Sequence, residues 1–265
     1  MIAPKSPEGV TTGLAWRVVE HAEIGSTNDE ARAAALAGDR GRLVVVADRQ
    51  TAGRGRRGRG WLSPPGNLYA SLLVIDPCPP PAAALLSFVA GLAMASAVER
   101  LGGEGFALKW PNDLMWRGAK AAGVLVEGLN LSDRRFAAVM GFGINCAAAP
   151  GGLPQPTADL QTALGRPIAP REALAALLPA LDEALATFAG GDGFAAIREA
   201  WLGRAAGLEG PLRVNTVKGR LEGGFAGIDE RGRLQLRRPD GTLNLVDAGE
   251  IELVGLVSAA GAGTV

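Results

Sequence analysis

The stretch "TAGRGRRGRGW" (Thr51–Trp61) runs straight into "LSPPGN" (Leu62–Asn67), and the reading of these two segments decides the fold. Gly53-Arg54-Gly55-Arg56-Arg57-Gly58 spells the dinucleotide fingerprint G-x-G-x-x-G behind the apolar run Leu43–Val46. That fingerprint requires a helix next, whose N-terminus holds a pyrophosphate. Here Pro64-Pro65 stands where the helix would start, and the following element, Leu68–Ile75, is rich in β-formers. A strand after the glycines excludes the Rossmann unit. An RNA-binding arginine–glycine tract would need many repeats in a low-complexity setting, and this is one burst between two strands. Two readings stay open from the segment alone. It is either a solvated surface loop or an anion-binding loop. In the second case glycine N–H groups approach the anion and guanidinium groups make bidentate contacts to phosphate or carboxylate. Arg54, Arg56, Arg57 and Arg59 repel one another, so such a loop is expected to be mobile until an anion neutralises it.

Composition narrows the partners. Lys+Arg and Asp+Glu balance at 27 each in 265 residues, so no global basic field recruits nucleic acid or an anionic membrane. The positive charge is local, at Arg54–Arg59, which favours a small anionic ligand. A hydrophobic fraction of 48% is ample for one large domain plus a small appendage. Cys78 and Cys146 form no C-x-x-C pair, and His21 is the one histidine. A zinc site, a disulfide framework and an H-E-x-x-H centre are therefore not expected, and a reducing cytoplasm is. Residues 77–98 carry no charge, yet Leu85, Phe88, Val89 and Leu92 fall on one helical face. That spacing describes a soluble core helix in place of a membrane span. No secretory leader is read in the first residues.

Strands are expected at 15–20, Arg42–Asp48, Leu68–Ile75, Phe106–Trp110, Val124–Glu127 and Arg135–Gly141. Helices are expected over Glu30–Ala37 (with N-cap chemistry from Ser26-Thr27-Asn28), near 82–101, over 171–189 with Pro179 inside, and over Phe194–Leu202. From about 211 the texture becomes short strands, Leu212–Val217, Gly219–Ile228, Leu234–Arg237 and Leu243–Val246, parted by turn signals. The pattern predicts an α+β domain followed by a small β-barrel-like module, with a frayed tail over 258–265. Elsewhere, Trp110-Pro111-Asn112-Asp113 is a turn signature, and Lys120 approaches the strand that follows. A lysine with Asp and Asn beside apolar strands can polarise a carboxylate and neutralise a phosphoryl group, as acyl-phosphate chemistry needs.

Five motifs occur in register: Ser26-Thr27-Asn28; Gln50 with Gly53–Trp61; Lys109-Trp110-Pro111-Asn112-Asp113; Lys120 with Ala122-Gly123-Val124-Leu125; and Gly141-Phe142-Gly143-Ile144-Asn145. Together, over roughly 15–255, they resemble the biotin protein ligases. The resemblance implies a biotin/lipoate-ligase-type catalytic domain with a mixed sheet and helices (14–208), an SH3-like domain (209–257) and a disordered tail (258–265). It implies that biotin and ATP, with Mg2+, give biotinyl-AMP, and that a lysine of a biotin carboxyl carrier protein, such as an acetyl-CoA carboxylase subunit, then takes the biotin. Carried over by position, Ser26, Thr27 and Gln50 would hold biotin's ureido end and Gly53 and Arg54 its chain, with Asn28, Lys120 and Gly123 also binding biotin. Arg54, Arg56, Arg57 and Arg59 would close over the adenylate. Trp61, Asn112 and Asn145 would meet the nucleotide, and Lys120, Arg54 and Asp113 would serve the chemistry. No metal ligand is assigned. Some members of this family carry an N-terminal DNA-binding domain. Here the motifs begin by Ser26 after a short polar lead, so no DNA partner and no transcriptional role are expected. Monomer and homodimer both remain open. A lipoate or octanoate ligase of the same fold is the near alternative, and a nucleic-acid-binding module the distant one.

Overall fold

The structure, a computed structural model, describes residues 15–206, 211–216, 219–247 and 249–253. Its larger sheet begins with a parallel pair, β1 (Arg17–Ile24) and β2 (Leu43–Gln50), joined by α1 (Thr27–Leu36). The arginine loop then leads into β3 (Leu68–Ile75), which pairs antiparallel with β2. Before α2 (Leu86–Arg100) comes one stretch of 3-10 helix; after it come β4 (Phe106–Lys109), β5 (Asp113–Trp116), β6 (Ala119–Asn130) and β7 (Phe136–Ile144). The strand order is β1-β2-β3-β7-β6-β5-β4, with every pair after the first antiparallel. α3 (Leu160–Leu164), α4 (Pro170–Phe188) and α5 (Phe194–Leu202) complete this unit.

β3 is buried along almost its whole length because both faces of the sheet are covered. Leu68, Ala70, Leu72 and Val74 face the large core under α2, α4 and α5. Leu73, with Leu43, Val45, Ala137 and Val139, meets Ala31 and Ala35 of α1 on the other face. By length and composition alone, Pro80–Arg100 and Pro170–Gly191 could cross a membrane. In the fold α2 is a core helix, eleven of its fifteen residues buried. α4 buries one stripe, Leu174, Leu177, Leu181, Leu185 and Phe188, and runs unbroken through Pro179. Proline there denies the Ala175 carbonyl its helical partner, but Ala175 and Pro179 both lie on the exposed side where water substitutes.

The second sheet holds β8 (Pro211–Thr216), β9 (Gly219–Ile228), β10 (Leu234–Arg237), β11 (Leu243–Val246) and β12 (Glu250–Leu253), in the order β11-β10-β9-β8-β12 and antiparallel throughout. It is the small SH3-like module read from the sequence. Its Leu212, Val214, Ile228, Leu234, Leu236, Val246 and Ile251 join the large core. The turn Asp229–Arg233 docks it. The Trp110 indole N–H donates to the Gly232 carbonyl at 3.3 Å, and a Cβ on Gly232 would press on Phe88.

The strands differ from the sequence reading in instructive places. β1 runs on to Ile24 and α1 opens at Thr27, three residues before Glu30, with no side-chain cap bond from Ser26. Phe106–Trp110 ends at Lys109, and β5, unread in the sequence, follows the turn. β6 is three times the length of Val124–Glu127. Val217, the expected domain junction at 208–209 and the tail 258–265 lie outside the described residues.

Candidate active site

The parallel pair β1 and β2 delivers its C-terminal ends side by side, with Ile24 opposite Gln50. Ser26, Thr27 and Asn28 follow at once and are all buried. The Thr27 N–H donates to Gln50 Oε1 at 2.9 Å, and the Thr27 hydroxyl oxygen lies 3.0 Å from the same atom. These residues form the polar end of a cleft of about 780 Å³.

The floor of the cleft is backbone. On β7 the face that carries Ala137 and Val139 under α1 continues as Gly141 and Gly143. A Cβ on Gly141 would strike Asn28 Oδ1, and one on Gly143 would strike the Trp61 indole. Opposite Gly143 on β6, Gly123 leaves the room that Lys120 and Trp61 occupy, since a Cβ there would lie 3.0 Å from Lys120 Cε and 3.2 Å from Trp61 Cζ3. Glycine is needed at these positions for close approach.

The arginine loop is a small hairpin of its own. Gly55 N–H donates to Arg59 O at 2.7 Å, Trp61 N–H donates to Gly53 O at 2.9 Å, and Arg57 takes the left-handed φ of 58° at the tip. The guanidinium groups of Arg54, Arg56 and Arg57 go to separate partners, which relieves their repulsion. Arg54 pairs with Asp29 at 2.6 Å and reaches Glu127 at 3.5 Å. The bond to Asp29 holds the Arg54 pKa above its ordinary value against the opposing effect of burial, and Glu127 adds to this. Arg56 donates to Asn112 Oδ1 at 3.2 Å, and Arg57 to the Asn215 carbonyl on β8 at 3.4 Å. Past Trp61, the Tyr69 hydroxyl ties down the Pro64 carbonyl at 2.7 Å, and burial pushes its pKa up to about 12.

Lys120 sits where β6 bulges against β5. Its ammonium is 2.6 Å from Asp113 Oδ1, with both side chains largely shielded, and 5.2 Å above the centre of the Trp61 ring. Its backbone is clamped by the segment 156–158: Lys120 N–H donates to Pro156 O at 2.8 Å and Ala158 N–H to Lys120 O at 2.9 Å. Asn145 is buried, its amide nitrogen donating to Ala158 O at 2.9 Å. Asn145 Oδ1 and Trp61 Nε1 are buried without hydrogen-bond partners, an acceptor and a donor left open at the site. Asn112 is fixed by its bond to the Val124 carbonyl at 2.6 Å.

The residues singled out in the sequence are brought together. Ser26, Thr27, Asn28, Gln50, Arg54, Arg56, Arg57, Arg59, Trp61, Asn112, Asp113, Lys120, Gly123 and Asn145 all line the cleft. Gly53 does not. It stands behind the wall, where a Cβ would meet Trp61 O at 2.8 Å and Gln50 Nε2 at 3.1 Å. Sequence reasoning passed over Ser71, Glu127 and Asp29, which bind these side chains from behind. It also missed the 150–157 segment and the rim from the second sheet, Asn215, Gly249 and Ile251. Ser71 alone carried a signal, as the one polar side chain besides Tyr69 in Leu68–Ile75. Among the described residues six cations and a single carboxylate, Asp113, line the cleft, so its field gathers anions.

A neutral polar pocket, a backbone floor and a cationic wall with an arginine hairpin thus share one cleft whose charge suits anions. Comparison with known families gives the class of protein. The model of the Biotin/lipoate A/B protein ligase family matches residues 24–145, and that of the Biotin protein ligase C terminal domain matches 213–254. The chain is 40% identical over 240 residues to a biotin–[acetyl-CoA-carboxylase] ligase of Paracoccus denitrificans, covering 87% of this chain and 98% of that one. It is 30% identical over 248 residues to the bifunctional ligase/repressor BirA of Bacillus subtilis, covering 92% and 76%. Among solved structures, the biotin protein ligase of Aquifex aeolicus in complex with biotin and ATP superposes with a TM-score of 0.75 at 28% identity, over 89% of this chain and 97% of that one. The chain belongs to the biotin protein ligase family.

Proposed function

We propose that this protein activates biotin with MgATP and transfers it to a lysine of a biotin carboxyl carrier protein domain of acetyl-CoA carboxylase. The observation that carries this reading is Lys120, paired with Asp113 at 2.6 Å and packed over Gly123, in the same cleft as the Thr27–Gln50 pair and the arginine hairpin. In the first step the biotin carboxylate oxygen bonds to the α-phosphorus and pyrophosphate leaves. Two anions must meet, so Lys120 and Arg54 lower the barrier by neutralising charge that concentrates in the transition state. In the second step the carrier lysine amine attacks the acyl carbon, loses its proton, and AMP leaves. Between the steps the anhydride must be kept from water, which gives the hairpin Gly53–Gly60 its purpose as a cover.

Ser26, Thr27, Asn28 and Gln50 are assigned to the ureido ring, and Trp61, Asn112 and Asn145 to the nucleotide. Magnesium is assigned to the nucleotide and not to a protein cage. The described residues hold no cluster of three His, Cys, Asp or Glu side chains, and the one carboxylate in the cleft is engaged by Lys120. Two unpaired buried cysteines support a cytoplasmic setting. The test is incubation with biotin, MgATP and a carrier domain, read by intact mass. A biotin-sized increment on the carrier lysine is expected. An increment with lipoate and none with biotin would refute the reading in favour of the lipoate alternative.

A further inference from the structure

Ser71, in the middle of β3 and fully buried, does not line the cleft, yet its Oγ lies 2.7 Å from Thr27 Oγ1 and 2.5 Å from Asn28 Oδ1. Thr27 Oγ1 is 3.0 Å from Gln50 Oε1, and Asn28 Nδ2 donates to Glu127 Oε2 at 2.6 Å. Five side chains thus form one line from Gln50 to Glu127 on β6, behind the ring end of the cleft.

The polarity of this line is fixed at both ends. A carboxylate only accepts, so Asn28 turns its nitrogen to Glu127 and its oxygen to Ser71. The Thr27 backbone N–H donates to Gln50 at 2.9 Å, so Gln50 turns its oxygen inward. Three contacts then lie between two acceptor oxygens, while the hydroxyls of Thr27 and Ser71 supply two protons. Asn28 Oδ1, seated on Gly141 where not even a Cβ fits, takes the Ser71 proton. With the Ser71 proton spent on Asn28, the 2.7 Å contact between the two hydroxyls takes the Thr27 proton. Thr27 then offers the cleft lone pairs and no free O–H, and Gln50 Oε1 keeps the lone pair that the Thr27 N–H does not use. A ring that brings N–H groups completes the line, and a ring that brings only acceptors leaves it unsatisfied at a cost.

We infer that Ser71 and Glu127 are positioning residues that set the Thr27–Gln50 end of the cleft to accept hydrogen bonds from ligand N–H groups. This rests on the biotin reading, since the ureido ring carries two such groups. Glu127 dictates the orientation of Asn28, Asn28 that of Ser71, and Ser71 that of Thr27.

The test uses the full chain. Biotin is titrated without nucleotide, and KM for biotin and for ATP are measured by pyrophosphate release. Ser71→Ala and Glu127→Ala are expected to weaken biotin binding about tenfold, the worth of one buried hydrogen bond or its loss of direction, and Ser71→Ala, which leaves the Glu127–Arg54 pair intact, is expected to keep KM for ATP within about twofold. Glu127→Gln keeps an oxygen for Asn28 and is expected to restore biotin affinity to within about threefold of the unaltered chain. Unchanged biotin affinity in Ser71→Ala, equal losses in Glu127→Gln and Glu127→Ala, or a parallel rise of both KM values in Ser71→Ala would each overturn the assignment. An unaltered chain that binds no biotin in the same titration overturns the function reading along with it, so the two failures are told apart.

Discussion

Replacing Lys120 by alanine separates chemistry from stability. The ammonium lies 2.6 Å from Asp113, with side chains 16% and 15% exposed. In such half-screened surroundings, with an effective dielectric near 20, unit charges at contact interact by about 4 kcal/mol. The same ammonium, aimed at the phosphoryl oxygens in the proposed transition state, is worth about 3–4 kcal/mol, or roughly 10²–10³ in rate, like other preorganised donors. Its loss should therefore slow biotin-dependent pyrophosphate release by that factor. The stability cost is smaller, about 1–2 kcal/mol, because Asp113 keeps some access to water once stranded. Lys120→Ala/Asp113→Asn removes the stranded charge, so the thermal midpoint should recover while pyrophosphate release stays low. The assay is single-turnover pyrophosphate release beside a thermal melt of each variant. If the double variant regains the rate together with the midpoint, or if Lys120→Ala releases pyrophosphate nearly as fast as the unaltered chain, the reasoning is wrong and Lys120 is structural.

Gly143→Ala puts a Cβ into the Trp61 indole; overpacking of about 1–3 kcal/mol should displace the ring and raise KM for ATP roughly tenfold with little change for biotin. Arg54→Ala should hasten loss of biotinyl-AMP more than it lowers the thermal midpoint, and biotin with MgATP should protect residues 53–60 from trypsin; unchanged cleavage would refute the cover. Burial pushes the Cys146 thiol up to about 12 and Cys78 up to about 11, so neither should react with a thiol reagent at pH 8 until the chain is unfolded. For Asp229, burial pulls the pKa up, but the Arg233 N–H and guanidinium and the Arg231 N–H outweigh it and hold the carboxyl below its ordinary 3.8. A depressed pKa stabilises above that value and the benefit fades as pH falls through the folded one. Asp229→Asn should therefore melt lower than the parent at pH 7, with the gap closing below about pH 3.8; a gap independent of pH would show that the turn is held by other means.

Local chemistry carried most of what was legible in the sequence. Pro64-Pro65 forbade a helix after the glycines, and β3 indeed follows as the antiparallel neighbour of β2. The 3.6 period drew α4 almost to its ends. What escaped depends on pairing across the chain. β5 is four residues long, and the β6 segment Ala121-Ala122-Gly123 has poor strand propensity. Each is a strand because its neighbours make it one. At Ser26–Asn28 the expected side-chain cap does not form, and Thr27 and Asn28 turn to Gln50, Ser71 and Glu127 instead. The site motifs converge on one cleft because each lies at a strand end or a loop. Asn215 reaches it only through the docking of the second sheet, which leaves no local mark.

The backbone floor has a consequence for any attempt to change what the cleft accepts. Gly123, Gly141 and Gly143 already carry the smallest side chain there is, so every substitution at them adds volume. Variation from below can only shrink the cleft. A bulkier analogue must be admitted through the walls and cover, where Leu62, Leu153 and the arginine hairpin face solvent and can give way. Selection for wider substrate range would therefore accumulate changes in the solvent-facing half of the site and leave the glycines untouched, so that the tolerance of the enzyme is adjusted from one side only.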